Sequence, residues 1–227
     1  MSYKVKIGTR GSKLALWQAY HVEDLLQQAG METEIVLIDT KGDQVLDVSI
    51  SKIGSKGVFT QELEDQLLDG RIDIAVHSAK DLQSRLDEAF ELIAFTEREQ
   101  VNDVLLSNDK EISLSSTAKP LVIGTSSTRR VATLKHFYPH VNTVEVRGNL
   151  QTRIRKMEEG LCDALLLAFA GVHRMGYDNQ IALLLSLEEF IPAVGQGSVA
   201  IESAKSLNPE IREKIIQACN HSETEAQ

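Results

Sequence analysis

The feature that most constrains the fold of this chain is a sequence pattern that occurs twice. In each copy an apolar run ends at Gly-Thr and leads into hydroxyl side chains, arginine and a helical pattern, as in GTRGSKLALWQA from Gly8 and GTSSTRRVATLK from Gly124. A second matched pair, DGRIDIAVHS from Asp69 and EGLCDALLLA from Glu159, joins a helix stop to an acidic residue and a buried strand. Short strands alternating with helices are typical of α/β sheets. The repetition therefore predicts two similar βαβ-type domains.

Apolar runs and helical periodicity place the elements of each copy. The predicted elements of the first copy are strands at Val5–Ile7, Glu34–Asp39 and Ile72–Val76, a helix from about Ser12 to Gly30, and a helix through Phe59, Leu63 and Leu67. Those of the second copy are strands at Leu121–Gly124, Val144–Val146 and Ala164–Leu167, a helix from about Ser127, and a helix over Leu150–Glu159.

One connection differs in length between the copies. The stretch from Gly8 to Gly70 is longer than that from Gly124 to Gly160, and most of the excess lies between Asp39 and Phe59. A long glycine- and lysine-bearing segment in this place is typical of a mobile lid. An ordinary surface insertion is the alternative that spacing alone leaves open.

Composition and charge exclude several classes of protein. A formal net charge of −9 with 5% aromatic residues argues against a nucleic-acid binder, which usually needs a basic surface or stacking platforms. No apolar run reaches the roughly 18 residues of a transmembrane helix, and the first residues lack a signal-peptide core. Cys162 and Cys219 provide neither a disulfide framework nor metal-ligand spacing. We therefore expect a cytoplasmic protein that binds no nucleic acid, membrane or metal.

One segment runs against the acidic average. Between Leu121 and Lys156 the chain has seven basic residues and a single acidic one, Glu145. Such an excess predicts a surface for an anionic ligand. A solvated basic face is the alternative interpretation of the same residues.

Polar residues, with one glycine among them, follow the ends of the predicted strands, where ligands collect in open α/β sheets. In the first copy these are Thr9, Arg10, Ser12, Ser78, Lys80 and Asp81. In the second copy they are Thr125, Ser126, Ser127, Arg129, Arg130, Arg147, Gly148, Asn149 and Arg153. Helix N-termini, hydroxyls and guanidinium groups all bind anions. Two domains facing each other across these ends would form an arginine-lined cleft with one prominent carboxylate, which describes a polyanion site with a catalytic acid.

Each of these side chains also has a structural interpretation. The hydroxyls at Thr125–Ser127 are typical helix caps. His77 at a strand end is typical of a packing residue, and Cys162 of a small buried hydrophobe. Asp81 next to Lys80 could simply form an ion pair.

At these segments the sequence closely resembles the porphobilinogen deaminases. The matching stretches, in order along the chain, are GTRGSKLALWQA, KGVFTQELE, DIAVHSAKDL, GTSSTRR, RGNLQTRIRK, LLLAFAGVHRMG and PAVGQG. The resemblance implies an α/β fold of two periplasmic-binding-protein-like domains with a cleft between them. It implies two chain crossings, near Arg98 and near Pro192–Gly197. The implied boundaries are residues 1–98 with 196–218 for the first domain, 99–195 for the second, and 219–227 as the start of a third, α+β domain that is otherwise absent.

The resemblance also implies the reaction. Family members are transferases of haem biosynthesis that condense four porphobilinogen molecules into hydroxymethylbilane and release ammonia. They grow the product on a dipyrromethane cofactor, which a cysteine of the third domain holds by a thioether. Neither Cys162 nor Cys219 matches that position, so the attachment cysteine is expected to be absent from this chain. The resemblance further implies a monomer acting on a small-molecule substrate.

Residue roles follow from the matched motifs. Asp81, with Lys80, is implied to be catalytic, because a carboxylate near a pyrrole N–H stabilises the positive charge that develops when ammonia leaves. The residues implied to hold carboxylates of substrate and cofactor are Arg10, Ser12, Gln18, Ser78, Thr125, Ser126, Ser127, Arg129, Arg130, Arg147, Arg153, Arg174, Gln196 and Gly197. Lys52 and Lys56 are implied to lie on the lid.

The chain departs from the family pattern beside Asp81. Ala79 stands where the family usually has methionine, and Leu82-Gln83-Ser84 where it has proline soon after the aspartate. The rival interpretation of the chain is a non-catalytic binding module of the periplasmic-binding-protein type for a polyanionic ligand. Asp81 distinguishes the two, because a passive polycarboxylate receptor gains nothing from a carboxylate among arginines.

Overall fold

The computed structural model describes residues 3–40, 60–117 and 119–226. The chain divides into two compact units, unit 1 of Met1–Glu99 with Val194–Gln227 and unit 2 of Gln100–Ala193. It therefore passes from one unit to the other twice. Lys52 and Lys56, the two lysines predicted to lie on a lid, fall outside the described residues.

Unit 1 is a five-stranded sheet with helices on its faces. Numbered along the whole chain, its elements are β1 Lys4–Thr9, α1 Lys13–Gln28, β2 Glu32–Leu37, α2 Gln61–Leu68, β3 Ile74–Ser78, a 3₁₀ turn Ala79–Asp81, β4 Phe90–Phe95, β10 Val199–Ala204, α6 Pro209–Cys219 and α7 Ser222–Glu225. The strand order is β2-β1-β3-β10-β4. Strands β1, β2 and β3 are parallel, and β10 is antiparallel to both of its neighbours.

Unit 2 repeats this arrangement. Its elements are β5 Asp103–Leu106, β6 Val122–Gly124, α3 Thr128–Phe137, β7 Asn142–Val144, α4 Leu150–Glu158, β8 Ala164–Ala168, α5 Phe169–Arg174, a 3₁₀ turn Asp178–Gln180 and β9 Ile181–Leu184. The strand order is β7-β6-β8-β5-β9, and β5 is antiparallel to both β8 and β9. The same order and orientations in both sheets confirm the prediction of two similar α/β domains.

The repeated acidic residue joins neighbouring strands in the same way in both units. The Asp73 carboxylate accepts the Lys6 N–H at 2.8 Å, and the Asp163 carboxylate accepts the Val122 N–H at 2.8 Å. The backbone N–H of each aspartate in turn donates to the same strand residue. Each carboxylate thereby pairs a backbone donor one residue before the parallel pairing of the two strands begins, where the sheet itself offers that group no partner.

The repeated Gly-Thr pair is explained by close packing between the two matched segments. A Cβ on Gly8 would lie 2.3 Å from Ile72 Cδ1, and a Cβ on Gly124 would lie 2.7 Å from Cys162 Sγ. Ile72 and Cys162 occupy the same position in the second matched pair. The glycines are therefore required because a side chain from the neighbouring segment fills the space beside each strand end.

Helices cover both faces of each sheet with apolar side chains. In unit 1 one face packs with Ala19 and Val22 of α1, and the other with Leu63 and Leu67 of α2. In unit 2 two such clusters flank β8, which is buried along its whole length. Each unit thus has its own core. No helix in the described part of the chain is long and apolar enough to span a membrane.

Besides β3, which runs over Ile74–Ser78 instead of Ile72–Val76, two strands are shifted from their predicted positions. The strand expected at Glu34–Asp39 is β2, which begins at Glu32 and ends at Leu37 because it pairs with β1 from Lys4 to Thr9. The strand expected at Val144–Val146 is β7, which lies two residues earlier, in register with β6. In both cases the partner strand, rather than the apolar run itself, sets the boundary.

Candidate functional site

The edge of unit 1 where β1 and β3 end carries several of the predicted residues. Ser12 caps α1, and its Oγ accepts the Ala15 N–H at 3.3 Å. Gln18, one turn further along α1, is buried, and its Nε2 donates to Ser78 Oγ at 2.8 Å. Arg10 is half-buried directly after β1. The structure therefore brings Gln18 and Ser78 into contact and places Arg10 and Ser12 at the same strand ends.

Lys80 and Asp81 lie in the 3₁₀ turn that follows β3, and both side chains are exposed. The turn is fixed by its backbone, because Ala79 N–H donates to Ser198 O at 3.0 Å and Leu82 N–H donates to Ala79 O at 3.3 Å. Among the described residues the Asp81 carboxylate has no hydrogen-bond or ion-pair partner. The simple ion pair with Lys80 that the sequence left open is not formed here.

The segment Gly195–Ser198 packs against this turn. Gly195 and Gly197 have φ of +70° and +93°, which side chains rarely allow. A Cβ on Gly195 would lie 2.9 Å from Ala79 Cβ, and one on Gly197 would lie 2.4 Å from Glu99 O. The Arg98 Nε–H donates to Gln196 O at 2.9 Å. Gln196 and Gly197 therefore lie beside the Asp81 turn, and the small Ala79 side chain fits against Gly195.

In unit 2 the hydroxyls after β6 bind the backbone around them. Ser126 Oγ donates to Val146 O at 2.7 Å, and Thr125 Oγ1 accepts the Ser127 N–H at 3.2 Å. Ser127 is the residue before α3, but its side chain does not cap that helix. Of these three hydroxyls, the one on Ser127 is thus left at the helix N-terminus, where anions are favoured.

The adjacent arginines Arg129 and Arg130 share one buried carboxylate. Asp103 is fully buried and lies 2.8 Å from Arg129 Nη1 and 2.7 Å from Arg130 Nη2. Arg130 is 6% exposed and also donates to Leu166 O, whereas the side chain of Arg129 is 28% exposed. Arg129 is thus the arginine of the pair that can reach a ligand, and the contacts of Arg130 lie within the fold.

Arg147 and Arg153 lie at the end of β7 and at the start of α4. Arg147 Nε donates to Glu145 Oε1 at 2.8 Å, and Arg153 Nε donates to Gly148 O at 2.8 Å. Lys156 Nζ donates to Arg147 O at 3.1 Å. Arg147 also binds Glu145 through Nη2, so neighbouring residues orient both guanidiniums, whose forked N–H groups suit carboxylates. Arg174 is half-buried at the end of α5, a helix turn or more beyond the end of β8.

Neither cysteine thiol is a candidate ligand. Both cysteines are buried free thiols, and burial raises the pKa of Cys219 to about 12 and also raises that of Cys162. Within the ranges that the structure describes, no cluster of three or more His, Cys, Asp or Glu side chains is arranged to hold a metal.

Sequence reasoning missed the residues that hold the others in place. Asp103 begins β5, directly before the buried run Val104–Leu106. A lone acid at the start of an apolar strand was a usable signal, since such a carboxylate is rarely buried without a cationic partner. The Ser198 carbonyl accepts a hydrogen bond from the Asp81 turn, and the Ile191 carbonyl accepts one from Arg129. Backbone carbonyls such as these carry no sequence signal.

Fold and site together define a class of protein. Each unit is a mixed α/β sheet of the periplasmic-binding-protein type, and its strand ends carry groups suited to an anionic ligand. The chain resembles the methionine binding protein MetQ (TM-score 0.58, 12% identity, covering 98% of this chain and 92% of that one). It also resembles the periplasmic VFT2 domain of Bordetella pertussis BvgS (TM-score 0.54, 16% identity, covering 98% and 91%). At these identities the likeness shows the fold alone.

Within that class, sequence comparison gives the family. Residues 5–212 match the family described as "Porphobilinogen deaminase, dipyromethane cofactor binding domain". The chain is 61% identical over 225 residues to the porphobilinogen deaminase of Cytophaga hutchinsonii and 57% identical over 222 residues to that of Desulfosudis oleivorans. These alignments cover 99% and 98% of this chain and 72% of each relative. The chain belongs to the porphobilinogen deaminase family, whose members are transferases of tetrapyrrole biosynthesis.

Proposed function

We propose that this chain binds porphobilinogen and a dipyrromethane cofactor and catalyses their condensation, with loss of ammonia, toward hydroxymethylbilane. Family membership supports the reaction. The observation that carries the catalytic part of the proposal is Asp81, an exposed carboxylate without a partner among the described residues. A cytoplasmic location and a monomeric state remain our predictions from the sequence.

The residues of unit 2 fit the dipyrromethane group chemically. Each pyrrole carries an acetate and a propionate, so two rings present four carboxylates. Arg129, Arg147 and Arg153 are each held in place by neighbouring groups of unit 2, and the planar guanidinium fork matches carboxylate oxygens. When bound, the cofactor supplies an anchored primer to which pyrrole units are added. We assign its carboxylates to these arginines and to the Ser127 hydroxyl, and we give Arg130 the role of holding Asp103 beside Arg129.

Unit 1 supplies the groups for the chemical step. As the aminomethyl nitrogen of porphobilinogen departs as ammonia, the electron-poor methylene-pyrrole gains positive charge. The pyrrole α-carbon of the acceptor ring then forms the new C–C bond and loses its proton. A fixed carboxylate near the pyrrole N–H stabilises that charge in the transition state. We assign this role to Asp81. We assign Arg10, Ser12, Lys80 and the backbone around Gln196 to the substrate carboxylates.

The test is whether bound porphobilinogen is consumed. The full-length protein, incubated with porphobilinogen, is expected to release one ammonia for each pyrrole incorporated and to yield a linear tetrapyrrole. Ammonia would be measured enzymatically, and the product by absorbance after acid-catalysed ring closure. A polyanion-binding module would instead bind porphobilinogen without releasing ammonia, and that outcome would refute the proposed function.

Replacing Arg153 or Arg147 with Leu is expected to weaken binding of porphobilinogen. A charge-assisted hydrogen bond contributes about 1.5–3 kcal/mol, so each loss should raise Kd by roughly 10- to 150-fold. Arg153→Lys should recover only part of the affinity, because lysine has no planar fork. Calorimetric titration measures each Kd directly.

Arg155→Leu is the matched control for this experiment. Arg155 is on the same helix as Arg153, but its side chain is 67% exposed and pairs with Glu159. Its removal lowers the net charge by the same amount without touching the strand ends. If Arg155→Leu weakens binding as much as Arg153→Leu, the effect is one of general charge, and the two site arginines are surface residues.

A further inference from the structure

A second ionisable cluster lies inside unit 1, on the other face of the sheet from α1. His77 Nε2 is 3.0 Å from Glu202 Oε2, and the two residues are 8% and 0% exposed. His77 is on β3 and Glu202 on β10, and α2, which carries the buried Glu64, packs against both strands. Neither the proposed chemistry nor the binding of carboxylates uses these three side chains.

Burying these ionisable side chains costs free energy that apolar side chains at the same positions would not cost. Burial raises the pKa of Glu64 and a hydrogen bond with Thr60 opposes the rise; of the neighbouring charges, Glu202 raises this pKa and His77 lowers it. Glu202 Oε1 has no hydrogen-bond partner in the described part of the chain. A buried pair of polar side chains is often no more stabilising than well-packed apolar residues, so global stability is a poor explanation for this pair. Buried polar contacts are better suited to fixing one arrangement of the backbone.

The backbone segment that the cluster fixes is the end of β3. Side chains alternate along a strand, so His77 points to the α2 face and Ser78 to the α1 face. On the α1 face Ser78 accepts a hydrogen bond from Gln18 at 2.8 Å. On the α2 face His77 binds Glu202. The last two residues of β3 are thereby held on both sides of the sheet, immediately before the turn that carries Asp81.

The partner strand extends this connection to the turn itself. Strand β10 pairs with β3 so that Ala200 lies opposite His77 and Val199 opposite Ser78. The next residue back, Ser198, accepts the Ala79 N–H of the turn. A displacement of β10 against β3 would therefore shift the Ala79–Asp81 backbone directly.

We propose that His77 and Glu202 are positioning residues, which lock β10 to the end of β3 and thereby fix the orientation of the Asp81 carboxylate. This inference rests on the proposed role of Asp81. The pair touches neither substrate nor cofactor and acts through the backbone of β3.

Kinetics of the full-length, cofactor-loaded enzyme test the inference. His77→Phe and Glu202→Gln are each expected to lower kcat by about 10- to 100-fold, the range that a displacement of up to 1 Å at a catalytic group produces. KM should change less than kcat, because Arg10 and Ser12, which are assigned to the substrate carboxylates, lie outside this turn. His77→Gln, which can still donate to Glu202, should recover most of kcat. Glu91→Gln is the matched control, since it breaks the Glu91–Arg212 pair in the same unit and should leave kcat unchanged.

A double-mutant cycle separates positioning from general damage. In an Asp81→Asn background, His77→Phe should cost little further activity, because the group that it positions is gone. Costs that multiply would overturn the inference and leave the role of Asp81 intact.

Amide hydrogen exchange of the same protein gives a readout that does not depend on catalysis. His77→Phe should accelerate exchange at the Ala79 N–H, which Ser198 O accepts, relative to Glu91→Gln. Unchanged exchange would also overturn the inference. If Asp81→Asn itself proves fully active while exchange and kcat respond to His77→Phe as expected, the role of Asp81 is wrong and the positioning of the turn stands. His77→Gln and Glu202→Gln, the mildest changes, keep the test valid if His77→Phe does not fold.

Discussion

Asp81→Asn is expected to lower turnover of porphobilinogen by about 10²- to 10³-fold in the full-length enzyme, with little effect on the fold. Removing one preorganised electrostatic contact to a transition state typically has a cost of this size. Asparagine keeps the shape and the carbonyl oxygen of aspartate. It lacks the negative charge that stabilises the positive charge left on the pyrrole as ammonia departs. Because Asp81 is exposed and has no partner among the described residues, no internal interaction is lost. Fixed-time assays of tetrapyrrole formation measure the effect.

Asp109→Asn provides a comparison for a general change in charge. Asp109 is exposed in unit 2, where its carboxylate accepts the Glu111 N–H within a loop. The substitution removes one negative charge and should leave turnover within about twofold, as expected for a surface position remote from chemistry. An Asp81→Asn enzyme that keeps more than about a tenth of the turnover would be incompatible with a preorganised charge at this position.

Asp103→Asn is expected to destabilise unit 2 by about 3–5 kcal/mol, the cost of removing one partner from a buried ion pair. Two guanidiniums lie at 2.7 and 2.8 Å from this carboxylate, and Arg130 has little access to water. Without Asp103 the two positive charges remain beside each other, and that of Arg130 is buried. At roughly 2–4 °C per kcal/mol for a chain of this size, the thermal midpoint should fall by about 6–20 °C. Circular dichroism melting curves would report it.

Glu159→Gln is the corresponding control, because it breaks an exposed pair with Arg155 in the same unit. That pair should contribute no more than about 0.5 kcal/mol. A double variant tests whether the loss comes from unpaired buried charge. Combining Asp103→Leu with Arg130→Met removes the central charge and one arginine, and it should recover much of the lost stability. A loss below about 1 kcal/mol for Asp103→Asn would mean that water already screens the two arginines.

The repeated sequence pattern predicted the parallel half of each sheet but not the antiparallel half. Strands β1, β3, β6 and β8 follow from apolar runs that end at characteristic turns, and the Ser12 cap and the stop at Gly30 bound α1 as predicted. Strand β10 pairs with β3 from more than a hundred positions away; β5 joins β8 from earlier in the chain, and β9 joins β5 from later in the chain. Such pairings depend on the assembled sheet, and local periodicity does not contain them.

For the candidate site, sequence predicted which residues lie at the strand ends but not what each side chain does there. Arg129 and Arg130 are neighbours with identical chemistry. On a helix, adjacent side chains point in directions about 100° apart, so one of them faces the core. Which of the two is buried depends on how α3 is rotated against β5, and in the structure it is Arg130. The bond between Gln18 and Ser78 likewise requires α1 to pack across β3, which no local motif encodes.

The place of β10 in the sheet of unit 1 has a consequence for biosynthesis. This strand lies between β3 and β4, yet the ribosome makes it only after all of unit 2 has been synthesised. Unit 2 is one continuous stretch and can fold as soon as it has been synthesised. The N-terminal strands of unit 1, in contrast, have an open sheet edge until Val199–Ala204 has been synthesised. The usual N-to-C order of domain folding is therefore reversed. An open edge of this kind is a site for wrong strand pairing. The growing chain is thus most exposed to aggregation while its second unit is already complete.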